Sequence, residues 1–183
     1  MSVIENSLRV LGELKNIIAE VKESEIALIK EMVDKADRIF FSGTGRSKLM
    51  MKSVAMRFMQ FGFEVFVVGE TNTPAFKKGD LLIAASGSGN TESTLINVQK
   101  AKNNQGKIVL FTTVLDSKIA CLADVVIEIP VKNKKSLKSK RLLPDGSYFE
   151  ESILILGDIL IIDIAAEKNI ASDILFNLHA NLE

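Results

Sequence analysis

The chain has a single cysteine, Cys121, so no internal disulfide can close. Its neighbours Ala120 and Leu122 are apolar, and the expected role is that of a small buried hydrophobe. A reactive thiolate would call for nearby positive charge or a helix N-terminus. Histidine is equally scarce: His179 and that one thiol do not make a soft-ligand metal site, and no metal is expected. Charge of one sign is not in excess either. Lys+Arg and Asp+Glu number 23 each, so the chain as a whole offers no field to hold a nucleic-acid backbone. The apolar stretch 153–166 is interrupted by Gly157, Asp158 and Asp163, and it falls short of the ~20 residues that span a bilayer. The start, Met1-Ser2-Val3-Ile4-Glu5, lacks the basic region and apolar core of a signal peptide. A cytoplasmic protein is expected, without a membrane or nucleic-acid partner.

The composition is that of a folded globular protein, 47% apolar and 25% charged over 183 residues, with no linker or repeat. Ile4, Leu8, Leu11, Leu14, Ile17, Ile18 and Val21, then Ile26, Ile29, Met32 and Val33, recur at helical spacing. They predict N-terminal helices within 1–36. Beyond them the period changes. Short apolar runs at 38–42, 64–68, 80–86, 107–113 and 124–129 read as strands. Between and after them, 46–61, 92–104, 117–122, 149–168 and 172–178 read as helices. Strands alternating with helices imply a three-layer α/β/α sandwich around a five-stranded, mainly parallel sheet in flavodoxin-like order, formed by 1–183 as one domain.

In such sheets ligands bind beyond the carboxyl ends of the strands. Two segments occupy such ends. Ser42-Gly43-Thr44-Gly45-Arg46-Ser47 lets the backbone turn sharply into a helix whose free N–H groups suit an anion. It lacks the third glycine of a dinucleotide fingerprint. Ser86-Gly87-Ser88-Gly89-Asn90-Thr91 sets hydroxyls among glycines between a buried strand and a helix. Ser86, Ser88 and Thr91 can donate to phosphate oxygens, and the Gly87–Thr91 backbone adds N–H donors. Thr91 also stands where an ordinary helix N-cap would stand. No lysine follows in the manner of a nucleotide-hydrolysing loop. Two acid–base candidates remain: the pair Glu150 and Glu151, read as opening a helix after Pro144-Asp145-Gly146-Ser147, and His179 near the end. Glu150 and Glu151 also fit as ordinary acids at a helix start, and His179 as a surface residue. The lysine-rich 132–141 is either a solvated loop or a funnel for an anionic substrate.

At these residues the chain resembles the SIS-domain (sugar isomerase) family, and within it the enzymes acting on phosphorylated hexuloses. Ser42–Ser47 (SGTGRS) is similar to the family's G-x-G-R-S loop, and SGSGNT (86–91) to its phosphate loop. AMRFM (55–59) with Gly62-Phe63, VGETNTP (68–74), GSYFE (146–150) and HANLE (179–183) extend the likeness over nearly the whole chain. Asp145 and Asn90 depart from the usual residues.

The resemblance implies interconversion of D-arabino-3-hexulose 6-phosphate and fructose 6-phosphate through a cis-enediolate, the second step of formaldehyde fixation by the ribulose monophosphate route. It implies Glu150 as base with Glu151 in reserve, and His179 as proton shuttle or oxyanion donor on a C-terminal tail (170–183) that reaches a neighbouring subunit. Substrate binding would fall to Gly45, Arg46, Ser47, Ser86, Gly87, Ser88, Gly89, Asn90 and Thr91. It also implies a homotetramer, no cofactor and functional coupling to 3-hexulose-6-phosphate synthase. The alternatives are isomerisation of arabinose 5-phosphate or a heptose phosphate, a non-catalytic sugar-phosphate-binding module, and a nucleotide-binding module.

Overall fold

Successive side chains of a strand point to opposite faces, so a strand covered on both sides must be apolar throughout. The computed structural model describes residues 2–131, 141–170, 174, 177–179 and 181. Its sheet consists of β1 (Ile39–Ser42), β2 (Val65–Val67), β3 (Leu81–Ala85), β4 (Lys107–Thr112) and β5 (Val125–Glu128). β1 and β3 are buried at every position and β4 at all but its first. The pleat divides their side chains between two cores. Ile39, Phe41, Leu81, Ile83, Val109 and Phe111 enter one, while Phe40, Leu82, Ala84, Ile108 and Leu110 enter the other.

The first core is closed by α1 (Val3–Ile18), α2 (Glu23–Lys35), α3 (Gly45–Gln60) and α5 (Asp145–Glu167). The second is closed by α4 (Glu92–Asn103) and the 3₁₀ turn Ala120–Leu122. These are the three layers expected. All strand pairs are parallel, in the order β2-β1-β3-β4-β5. The chain therefore runs outward from β1 to β2, crosses back to β3 and continues the other way. β1 and β3 lie side by side where the order reverses, the place where open α/β sheets form their ligand crevice, beyond the carboxyl ends of the strands.

The opposite ends of β1 and β3 are clamped. Arg38 donates from Nε and Nη2 to the two oxygens of Asp80, at 2.9 and 2.6 Å. The Lys77 N–H gives the same carboxylate a further bond at 2.7 Å. A buried carboxylate is tolerated only with such compensation, and Asp80 has none of its side chain exposed.

Three expectations change. The long helix starts at Asp145, not 149, because Pro144 takes the N-cap position and the Pro-Asp-Gly-Ser run forms its first turn rather than a separate one. Glu150 therefore lies in the second turn, beyond the reach of the helix-end dipole offered as its ordinary explanation. The helix expected at 117–122 shrinks to a 3₁₀ turn. Cys121 is exposed, because Ile119 is the residue this turn buries. The last helix, 172–178, falls largely outside the described residues, as does 132–140 of the lysine-rich run.

Candidate active site at the sheet crossover

The two glycine-containing loops leave adjacent strands and meet. Thr44, at the N-cap of α3, makes no cap bond with its side chain. Its hydroxyl lies 2.8 Å from that of Ser93 in the first turn of α4. Two residues earlier, at the end of β1, buried Ser42 accepts from Asn97 Nδ2 at 3.1 Å. These cross-links hold two helix N-termini side by side, both aimed at the crevice. Each presents unpaired N–H groups and the positive end of its dipole, so together they favour an anion.

The second loop is built from within. Gly87 O accepts from the Thr113 N–H at 3.1 Å and from the Thr113 hydroxyl at 2.8 Å, which ties the loop to the end of β4. Gly89 has φ +64°, and a Cβ there would collide with the Ser117 side chain. Glycine is therefore required at this position. Thr91 is the N-cap residue of α4 but makes no side-chain cap bond. Its hydroxyl pairs with that of Ser86 at 2.9 Å. That pair consumes one of two hydroxyl protons, so the other remains for a ligand. The N–H groups of Gly89 and Asn90 are engaged by Ser86 O at 3.0 Å and Ser88 Oγ at 3.2 Å. Among the described residues those of Gly87 and Ser88 have no backbone partner. The donor set is thus narrower than the whole run of loop amides expected from the sequence.

Across the crevice α5 enters. The Phe149 ring comes within 3.4 Å of where a Cβ on Gly87 would lie. The next residue, Glu150, accepts a hydrogen bond from Arg46 Nε in the first turn of α3. The Glu150 side chain is 12% exposed and that of Arg46 61%, so the carboxylate is the inner partner and the guanidinium the outer. The hydrogen bond to Glu150, and then its charge, hold Arg46 above its ordinary pKa. Glu151 adds a weaker pull on the same guanidinium. One side of the crevice therefore supplies hydroxyls, amides and helix ends for an anion. The other supplies a carboxylate with a cation beside it.

Gly45, Arg46, Ser47, the 86–91 loop and Glu150 come together at this crevice. His179 does not join them. Its neighbour Leu178 lies 3.9 Å from the position of a Cβ on Gly62, just past the C-terminal end of α3. A helix of 16 residues separates that end from Arg46, about 24 Å at the α-helical rise. Sequence reasoning assigned no role to Thr44, Ser93 and Asn97. It also missed Lys48, whose Nζ lies 3.3 Å from a Cβ position on Gly69, bringing a second cation toward the 68–74 loop. Lys48 was legible as the basic residue one position past the SGTGRS loop.

A family model described as SIS domain matches residues 32–142. The chain is 37% identical over 185 residues to a Bacillus subtilis (strain 168) protein named 3-hexulose-6-phosphate isomerase, covering 100% of both. It is 35% identical over 184 residues to the protein of that name from Mycobacterium gastri, covering 99% of this chain and 92% of the relative. A Methanococcus jannaschii crystal structure, described as inferring a molecular function of 3-hexulose-6-phosphate isomerase, superposes with TM-score 0.81 at 34% identity, covering 97% of each chain.

Proposed function

Because the chain belongs to the SIS domain family, we propose that it is a sugar-phosphate isomerase that interconverts 3-hexulose 6-phosphate and fructose 6-phosphate. The observation that carries the reading is the Arg46–Glu150 pair, set one residue from the ring that touches the anion loop. Full-length relatives bearing the name 3-hexulose-6-phosphate isomerase support it.

The phosphate sits on the hydroxyls of Ser47, Ser86, Ser88 and Thr91 and on the two helix ends. It is remote from the reacting carbons, so its binding energy serves to orient them. Glu150 removes the proton from C2 of the 3-ketose. The electron pair forms the C2–C3 double bond of a cis-enediolate, and the C3 carbonyl oxygen takes up a proton. Collapse from the C2 oxygen, with loss of its proton, returns the carbon-bound proton to C3 and leaves the ketone at C2. Arg46 stands beside the carboxylate, where charge develops on both oxygens, and stabilises it there. The other ionisable groups of the proposal are Glu151, held in reserve as base, and His179.

The single-domain organisation, the homotetramer and the delivery of His179 by a neighbouring subunit belong to the same proposal. So do cytoplasmic location, coupling to the preceding synthase and a place in formaldehyde fixation. Exposed apolar residues support the oligomer: Ile4, Leu8 and Leu11 at helical spacing on α1, and Ile155, Ile159 and Ile162 on α5. None of the helices among the described residues is long and apolar enough to cross a membrane.

The test is turnover of fructose 6-phosphate beside arabinose 5-phosphate and a heptose phosphate in deuterated water. Deuterium should enter C2 of the 3-ketose as it forms, and C3 of fructose 6-phosphate when the enediolate reverts. Faster turnover of another sugar phosphate would reassign the substrate. Binding without turnover of any would reduce the protein to a sugar-phosphate-binding module.

A further inference from the structure

The start of α5 leads into Glu150, yet it has no side-chain cap and little packed around it. Its N-cap is Pro144, with no side-chain cap bond. Gly146 leaves open space, since a Cβ there would meet no atom within 4 Å. Asp145 is exposed and meets Arg141 at 3.3 Å. Among the described residues, Tyr148 ties this turn to another helix.

Tyr148 is fully buried. Its hydroxyl donates to Glu13 Oε2 on α1 and accepts from the Leu143 N–H at 3.4 Å. The Arg141 guanidinium lies 5.3 Å from its ring centroid. Glu13 is itself oriented, because its other oxygen accepts from Arg9 Nε at 3.2 Å. Burial, and then the Glu13 carboxylate, raise the Tyr148 pKa above its ordinary value, so the hydroxyl remains a donor at neutral pH. Phenylalanine would fill the same core space without a polar atom to satisfy. The hydroxyl is explained by the bond it makes. The two residues that follow are Phe149, against Gly87, and Glu150, against Arg46.

We infer that Tyr148 and Glu13 are positioning residues, and that the bond between them sets Glu150 at the working distance from the anion loop. The inference rests on the isomerase reading above. Neither residue touches substrate; both act through the first turn of α5.

The experiment compares kcat and KM for the wild type, Tyr148→Phe, Glu13→Ala, Glu13→Gln and the Tyr148→Phe/Glu13→Ala double variant. All are assayed at a temperature where each is folded by circular dichroism. Displacing a catalytic group costs rate more than binding, so Tyr148→Phe and Glu13→Ala should each lower kcat ~10-fold and leave KM within ~2-fold. Glu13→Gln keeps an oxygen acceptor and should retain most of kcat. The double variant should be no slower than either single one, because both remove the same bond. A wild-type kcat in Tyr148→Phe, losses that multiply in the double variant, or a loss carried by KM alone would each overturn the inference. A wild-type enzyme that isomerises no sugar phosphate would overturn the functional reading, and this inference with it.

Discussion

Thr91 occupies the cap position of α4 but spends its hydroxyl on Ser86. A residue placed only to start a helix would bond the helix's own amides; here the hydroxyl braces the loop instead. At this scale the residues of the crevice should separate by kinetic signature. On the proposed mechanism Glu150→Gln removes the base and should lower kcat ~10²–10⁴-fold with little change in KM. Ser88→Ala removes a proposed phosphate donor and should chiefly raise KM. Steady-state kinetics distinguish the two; wild-type turnover by the first, or an unchanged KM in the second, would remove that residue from its role. The hydroxyls and glycines of this site were legible because small residues crowded at a strand end have few other uses. The Thr44–Ser93 and Ser42–Asn97 links were not. Each joins ordinary polar residues about 50 positions apart, a separation that no local pattern records.

Among elements, α3 and α5 approach closely where Gly157 faces Val54. A Cβ on Gly157 would lie 2.5 Å from Val54 Cγ2 and 2.7 Å from Cγ1. Val54 is β-branched and stiff, so it cannot turn aside. Gly157→Ala gains ~1 kcal/mol of helix propensity but costs ~1–3 kcal/mol of overpacking, and the approach is close enough to favour the upper end. A net loss of ~1–2 kcal/mol is expected in urea denaturation. Adding Val54→Ala should recover part of it; a Gly157→Ala protein as stable as the wild type would show that the helices part freely. All five strands were readable to within about two residues: β1, β3 and nearly all of β4 are buried on both faces and so read as continuous apolar runs, and the less buried edge strands β2 and β5 are short apolar runs of their own. The start of α5 was misread, since Pro-Asp-Gly-Ser has the composition of a turn. Its first turn is joined to α1 by Tyr148, whose bond to Glu13 spans 135 positions, a contact that no local pattern records.

For the whole molecule, the exposed stripe of Ile4, Leu8 and Leu11 and the distance of His179 from its own crevice ask the same question of assembly. If neighbours exchange His179, two inactive variants should complement. Oligomers formed by co-expressing Glu150→Gln and His179→Ala subunits should regain about a quarter of wild-type activity, the share of sites that draw both intact residues. Activity equal to the average of the two parents would place His179 outside any neighbour's site. Chain order adds a consequence of the strand arrangement. β1 and β3 and both loops between the crevice walls precede residue 104, whereas α5 starts at Asp145. Translation proceeds from the N-terminus. A ribosome therefore makes both loops before the helix that carries Glu150, so along the chain the wall proposed to hold the phosphate comes ahead of the residue proposed to move the proton.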